Sequence, residues 1–187
     1  MPRSRPAVSR LPDTSPSVRN EPVRHRLREL DEELERLEKA RLELVAVPDS
    51  DTGAAPRNDD ELDAADEAIS RLAVLAGPAD MASYLQQHLG QKLTAYLAGL
   101  KDVKTVGQWA RGKVEPPAIT RERLRAAFHA TLLFRLRYGD EAAQGWFFGA
   151  NASLGYRAPA AVLREAGTPD ELALIAPLAR AFVRGAH

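Results

Sequence analysis

The chain has 187 residues, of which 44% are hydrophobic and 28% charged, and its formal net charge is zero. This composition is typical of a globular protein with room for one ordinary domain plus appendages, or for two small domains. The absence of cysteine excludes disulfides, thiol catalysis and cysteine-ligated zinc, and it suits the reducing cytoplasm, which is the location we expect. No apolar run reaches the roughly 18 residues of a membrane span, and the basic start lacks the apolar core of a secretory signal.

The charges are unevenly distributed along the chain. Residues 1–22 carry four basic and two acidic side chains, and residues 23–77 carry eight basic and fifteen acidic ones. Residues 78–138 carry ten basic and four acidic side chains, whereas residues 139–187 carry four and five. A basic block beside an acidic helical block is typical of a segment that faces nucleic acid next to a solvated segment. If the protein binds DNA, we therefore expect residues 78–138 to do so.

Residues 1–22 contain five prolines among arginine and serine. Such a segment cannot bury enough apolar surface to offset its chain entropy, so we expect a disordered basic arm. The arm is either a plain tail or a segment that contacts phosphates.

Residues 23–77 contain two amphipathic helical patterns joined by a loop over residues 48–58. The first pattern has apolar residues spaced by three and four, with charged residues between them: Val23, Leu27, Leu30, Leu34, Leu37 and Leu44. The second runs from about Asp59 to Ala76. Two such helices either fold into a hairpin on their own chain or pair with a second copy as a coiled coil. We favour dimerisation, because a coiled-coil seam is narrower than the apolar face of a globular helix.

Residues 78–138 predict a helix-turn-helix domain. Short helices are expected over 80–88, 91–97 and 103–111, and a long central helix N-capped by Thr120 should follow to Tyr138. Ala95 supplies the small residue where the two helices of the motif cross, and Gly99 supplies the positive φ of the turn. Gly112 should end the second helix of the motif.

The outer face of that second helix carries the candidate DNA-binding side chains. Glutamine can pair with adenine, arginine and lysine with guanine, and the remaining groups with phosphate. The candidates are Lys101, Lys104, Thr105, Gln108, Arg111 and Lys113. The stretch resembles the Xre/Cro-type helix-turn-helix, with a turn one residue longer. The alternative is a small helical bundle whose basic face is only solvated.

Residues 139–187 predict a further helical segment. We expect a helix N-capped by Asp140, a loop, a helix opened by Pro159, and a last helix that begins with a capping box at residues 168–171. Pro177 should kink or break the last helix. The aromatic run at residues 146–148 is larger than a segment of this size normally hides.

One pattern in this segment has a specific spacing, Trp-x4-Asn-x2-Leu-Gly-x3-Pro-x3-Leu. Its positions are Trp146, Asn151, Leu154, Gly155, Pro159 and Leu163. The pattern resembles the toxin-binding domain of Xre/MbcA/ParS-type antitoxins, and with the preceding helix-turn-helix the resemblance covers about residues 79–187. It departs from the family where Phe147 replaces a leucine, where Tyr156 replaces a second glycine, and at Pro177 in the final helix.

The resemblance implies a partner and a mode of action. Members of this family bind RES-domain toxins, which degrade or transfer from NAD, and they often repress their own operon. The C-terminal end of the antitoxin lies close to the toxin's NAD pocket, which implies neutralising contacts from Arg180, Arg184 and His187. Most motif residues are expected to hold the fold, with Trp146, Leu154 and Leu163 in the core.

Nothing in the sequence predicts catalysis. The four histidines lack the paired spacing of a metal site, and the chain has neither a phosphate-binding glycine loop nor a nucleophile elbow. We therefore expect no catalytic residue, no metal and no cofactor.

The sequence predicts an all-α antitoxin with a helix-turn-helix, in a homodimer or higher assembly, that binds a RES-domain toxin and operator DNA. The alternative is an ordinary helix-turn-helix regulator whose C-terminal segment serves dimerisation.

Overall fold

The computed structural model describes residues 21–45 and 59–185, and its regular elements in those ranges are helices, which confirms the all-α class. The helices are α1 (Glu21–Val45), α2 (Asp59–Leu75), α3 (Pro78–His88), α4 (Gly90–Leu97), α5 (Lys104–Ala110), α6 (Ala118–Arg137), α7 (Asp140–Phe148), α8 (Pro159–Glu165), α9 (Pro169–Leu172) and α10 (Ile175–Val183). A single 3₁₀ turn at Ala152–Leu154 joins α7 to α8. The predicted loop at 48–58 lies outside the described residues, as does the predicted basic arm apart from Glu21 and Pro22, which begin α1.

Helix α6 is the central helix of the fold, as its apolar pattern predicts. The ridge of Leu124, Phe128 and Leu132 is fully buried, and Leu133 and Phe134 are buried as well. Helices α2, α3, α7 and α10 all pack against it. One continuous hydrophobic core includes side chains from α1 through α10, so the segments 23–77, 78–138 and 139–187 share that core.

The apolar stripes of α1 and α2 are buried against the chain itself. Leu27 and Leu34 of α1 and Ile69 and Leu72 of α2 lie in the common core. The side chains of Leu37 and Leu44 are outside the described part. A coiled-coil dimer of α1 needs an uncovered apolar stripe. Between Val23 and Leu34 this stripe is covered by α3 and α6 of the same chain, so that part of it is not free to pair with a second copy.

Several helix starts differ from those we expected. Helix α6 begins at Ala118 with Pro117 as its N-cap residue, so Thr120 lies inside the first turn and is not the cap. The φ of Pro117 is −54°, and proline there lets the helix start before the threonine. Gly139 is the N-cap residue of α7, which makes Asp140 the first helical residue.

The last two helices also differ in detail from the prediction. Thr168 is the N-cap residue of α9 but its side chain makes no cap hydrogen bond. Glu171 instead accepts a hydrogen bond from the backbone N–H of Gly167, at 2.9 Å. The expected break occurs between α9 and α10, before Pro177, which lies in the first turn of α10 where its missing N–H is tolerated.

A buried ionic cluster joins four helices. The Arg135 guanidinium of α6, with only 4% of the residue exposed, contacts Asp31 of α1, donates to the Tyr84 hydroxyl of α3 at 2.6 Å, and lies 2.6 Å from Asp140 of α7. His88 of α3 lies between the same two carboxylates, 3.0 Å from Asp140 and 3.2 Å from Asp31. We call these five residues the buried ionic cluster.

The electrostatics of the cluster favour a protonated histidine. Burial alone would lower the pKa of His88, but its contacts with Asp140 and Asp31 outweigh burial and raise that pKa above its usual value. Burial likewise opposes ionisation of Asp31, yet His88 and Arg135 lower its pKa overall. With His88 protonated, two positive groups face two carboxylates, so the buried charges balance.

Replacing Arg135 with methionine should strongly destabilise the protein. The change leaves Asp31 and Asp140, whose side chains are only 18% and 32% exposed, without their main cation, which should cost at least about 2 kcal/mol of unfolding free energy, below the 3–5 kcal/mol of a fully buried pair. Urea unfolding followed by circular dichroism measures the loss. As a control, Arg71→Met removes an exposed pair with Glu67 and should cost less than about 1 kcal/mol. Equal losses in the two variants would show that the cluster contributes nothing beyond a surface pair.

The raised pKa of His88 also predicts a pH dependence of stability. Its contribution is fully present below pH 6.5, its usual pKa, and is lost as the pH rises through the raised pKa of the folded state. The free energy of unfolding should therefore fall as the pH rises above 6.5. His88→Gln should remove this slope, whereas His25→Gln, at an exposed histidine of α1, should keep it. A slope that survives in His88→Gln would assign the pH dependence to other groups.

Candidate functional site

Helices α4 and α5 and the turn between them form the predicted helix-turn-helix segment. Ala95 is buried, and the Gln91 side chain of α4 donates to the Val103 carbonyl just before α5, at 2.9 Å. Gly99 has a φ of 79°. At the end of α4, the backbone N–H of Leu100 donates a hydrogen bond to the Ala95 carbonyl, at 2.9 Å. The prediction that Gly99 takes a positive φ in this turn is confirmed.

Helix α5 has a buried face and an exposed face, as expected. Val106 and Trp109 are buried, while the candidate DNA-binding side chains of the opposite face lie at the surface. Of the six candidates, Thr105 is half-buried. The other five are exposed, namely Lys101, Lys104, Gln108, Arg111 and Lys113. Gly112 ends the helix with a φ of 64°.

The cations of this face are available to a ligand. Within the described ranges Lys101, Lys104, Arg111 and Lys113 form no ion pair with an acidic side chain. The Asp102 carboxylate accepts the backbone N–H of Lys104 at 3.0 Å, which fixes the start of α5. A short helix with a buried apolar face and free cations outside can contact phosphates and base edges in a major groove.

Two arginines that the sequence analysis did not single out hold the turn after α4. Arg123 of α6 donates to the Ala98 carbonyl at 3.2 Å and to the Ala166 carbonyl, after α8, at 2.6 Å. Arg164 of α8 donates to the Leu100 carbonyl at 3.2 Å. These carbonyls are the ones that helix ends leave without an intrahelical partner. A Cβ at Gly99 would overlap the end of the flexible Arg123 side chain, which would have to shift, so the positive φ is the main reason that glycine is favoured there.

The six-residue C-terminal motif builds the connection between α7 and α8. Trp146 and Leu163 are buried, with the indole 5.1 Å from the Phe134 ring of α6, and Pro159 is the first residue of α8. The Asn151 side chain accepts from the Ser153 N–H at 2.9 Å and thereby orders the turn. The expectation of a core position is confirmed for Trp146 and Leu163, whereas Leu154 is only half-buried and packs against the edge of the core.

Gly155 and Tyr156 both adopt the left-handed backbone conformation, each with a φ of 63°. Glycine adopts this conformation freely, whereas a residue with a side chain is strained there. Tyr156 is 78% exposed, so its side chain makes little packing that could offset the strain. The antitoxin pattern has a second glycine where this chain has Tyr156. The backbone conformation at Tyr156 is therefore one that favours glycine.

An apolar groove of about 730 Å³ lies between the end of α6, α7 and α10. Trp146, Tyr138 and Phe182 line it, and the Trp146 indole N–H has no hydrogen-bond partner among the described residues. Of the aromatic run, Trp146 and Phe147 are buried and Phe148 is 63% exposed at the surface. Residues 139–187 bury two of the three aromatic side chains of this run because these two pack against the apolar surface of α6.

The cations proposed for the C-terminal tail are engaged within the chain. Arg180 forms an ion pair with Asp66 and donates to Ser70 at 3.3 Å, and Arg184 lies 2.5 Å from Asp63. These partners are on α2, because α10 and α2 both pack on α6. Burial and the charge of Arg180 lower the pKa of the neighbouring His129. His187 lies outside the described residues.

The described part of the chain shows no group of three or more histidine, cysteine or acidic residues that could hold a metal ion. Among the helices of residues 21–45 and 59–185, none combines the length and the apolar character needed to cross a membrane. Comparisons with protein families, with curated proteins and with solved structures find no match to this chain.

Substitutions at the two left-handed residues should have opposite effects on stability. Tyr156→Gly relieves backbone strain and should raise the free energy of unfolding by about 1 kcal/mol, whereas Gly155→Ala introduces the same strain and should lower it by about 1 kcal/mol. The space around Gly155 is open, so its cost comes from the backbone and not from a clash. Urea denaturation of both variants tests the pair. Destabilisation by Tyr156→Gly would mean that the exposed ring stabilises the turn.

Proposed function

We propose that this protein is a non-catalytic antitoxin of the cytoplasm, acting as a homodimer or higher assembly. The segment from α7 to α10 binds a RES-domain toxin that consumes NAD, and the α4–α5 segment binds operator DNA. The observation that carries the proposal is the ordered six-residue motif, whose residues lie in α7, in the turn after it and in α8. Helix α8 packs on α4 of the predicted helix-turn-helix segment, and the two parts follow one another in the order that the antitoxin family has.

The surface of the C-terminal segment supports a role in binding another protein. Phe148 is largely exposed, and Gly149, the next residue, belongs to the lining of the apolar groove. Exposed aromatic side chains beside a concave apolar surface are common at protein interfaces. In this proposal Arg180 and Arg184 exchange their α2 carboxylates for acceptors on the toxin.

Coexpression with the neighbouring RES-type reading frame tests the antitoxin function. The toxin alone should stop growth, and the chain should restore growth and copurify with it. Phe148→Glu should weaken the rescue, whereas Leu75→Glu, at a side chain of α2 that is 61% exposed, should not. A neighbour that is harmless alone, or that stays toxic beside this chain, would contradict the proposal. DNA binding without such a neighbour would favour the ordinary regulator.

The free cations of α5 support the DNA-binding part of the proposal. The combined variant Lys104→Ala, Gln108→Ala, Arg111→Ala should bind the operator at least about tenfold more weakly. The slope of log affinity against log salt should fall by about 2, since two phosphate contacts are lost. As a control, Arg36→Ala with Lys39→Ala removes two exposed cations from α1 and should leave the slope unchanged. Unchanged affinity in the α5 variant would show that α5 is not the DNA-reading helix.

A further inference from the structure

The first fifteen residues of α1 carry a basic stretch followed by an acidic one. Residues 24–28 include three arginines and one histidine, whereas residues 29–35 include five acidic residues and no basic one. Arg26 pairs with Glu29 at the boundary of the two stretches, at 3.2 Å, whereas Arg28 has only a looser contact with Glu21, at 3.7 Å.

The fold places the basic end of α1 beside the end of α5. A groove of about 870 Å³ runs between α1, α3 and the residues that follow α5. Arg24 and Arg28 of α1 line one wall, Arg111 lines the other, and Trp109 also contributes to the lining. The acidic stretch of α1 continues away from this end of the helix.

Three contacts on one face of α1 fix this arrangement. The Arg24 guanidinium binds the buried Asp80 carboxylate of α3 at 2.7 Å, Leu27 is in the core, and Asp31 belongs to the buried ionic cluster. Positions 24, 27 and 31 lie on one face of a helix. Arg28, beside them, is held at the edge of the groove while its side chain stays 68% exposed.

Three of the four acidic groups that line the groove are paired within the chain, whereas the fourth, Glu115, is exposed and forms no ion pair among the described residues. Asp80 pairs with Arg24, Asp31 pairs with Arg135, and Glu21 lies 3.7 Å from Arg28 in a loose exposed pair. An exposed pair of this kind is worth about 0–1 kcal/mol, so a phosphate can replace Glu21 at little cost. Arg111 has no acidic partner in the described part of the chain.

We propose that Arg28 of α1 is a second DNA contact, which binds the phosphate strand next to the major groove that α5 enters. The proposal rests on DNA binding by α5 and extends it to a part of the chain outside the antitoxin resemblance. A major groove is about 12 Å wide, so a strand that borders a helix in that groove passes within roughly one helix diameter of it. Arg111 and Arg28 then hold one strand from two sides and set the position of α5 on the duplex.

The test compares two arginines of the same helix. Arg28 and Arg26 are two residues apart, which places them roughly 200° apart around α1. Their side chains are 68% and 66% exposed, and only Arg28 lines the groove. Operator binding by the full chain is measured at several salt concentrations, for wild type, Arg28→Glu, Arg28→Gln and Arg26→Glu, after circular dichroism has confirmed that each variant is folded.

Arg28→Glu should weaken binding by at least about tenfold near physiological salt, and Arg28→Gln should lower the salt slope by about 1. Arg26→Glu should change affinity less than about twofold, because a charge on the far face is screened over about 8 Å. Equal effects of Arg28→Glu and Arg26→Glu, or no effect of either Arg28 variant, would overturn the proposed contact while leaving DNA binding by α5 intact. A wild-type chain that does not bind the operator would overturn the DNA-binding function itself.

Discussion

The arrangement of this protein depends on the buried ionic cluster around Arg135. Its five members come from α1, α3, α6 and α7, which lie far apart in the chain. Burying charge is unfavourable unless each charge meets a partner, so these helices can dock only in the arrangement that brings the partners together. The hydrophobic core supplies most of the driving force, while the cluster determines which face of α1 and which end of α7 meet α6.

The same arrangement connects the surfaces for which we propose functions. The cluster holds α1 against α3, which places the basic end of α1 beside α5. On the other side of α6, Arg123 and Arg164 bind the carbonyls at the end of α4. Since Arg164 belongs to α8, a helix of the proposed toxin-binding segment directly contacts the turn of the proposed DNA-binding segment. Both surfaces are thereby built on one core, with polar contacts between them.

Local sequence signals predicted much of this fold. Apolar periodicity located the helices, and glycine at 99 and 112 marked two helix ends correctly, because a positive φ is a local requirement. The residues that cap the helices were less predictable. Thr120 and Asp140 have side chains typical of N-cap residues, but the N-cap positions of α6 and α7 are occupied by Pro117 and Gly139. For α1, Leu27 and Leu34 pack into the core of the same chain, and pairing with a second copy stays a prediction, because a seam of given width does not reveal whether its partner is another chain or the same one.

The long-range polar contacts could not be predicted from a single sequence. Asp31, His88 and Arg135 each look like solvated positions on amphipathic helices, and only the packing of those helices brings them together. Arg180 and Arg184 show the same limit, because the family resemblance implied a role toward a toxin while the fold pairs them with Asp66 and Asp63 of α2.

We expect residues 21–45 and 59–185 to form one cooperative body, because the buried ionic cluster joins α1, α3, α6 and α7. The two tryptophans lie in different parts of that body, Trp109 in α5 and Trp146 in α7. Urea unfolding of the single-tryptophan variants Trp146→Phe and Trp109→Phe, followed by fluorescence and by far-ultraviolet circular dichroism, tests the claim. In each variant the two signals should show one transition with the same midpoint. A tryptophan transition separated from the loss of helix in either variant would show that the α4–α5 and C-terminal segments unfold independently, and so are not parts of one cooperative body.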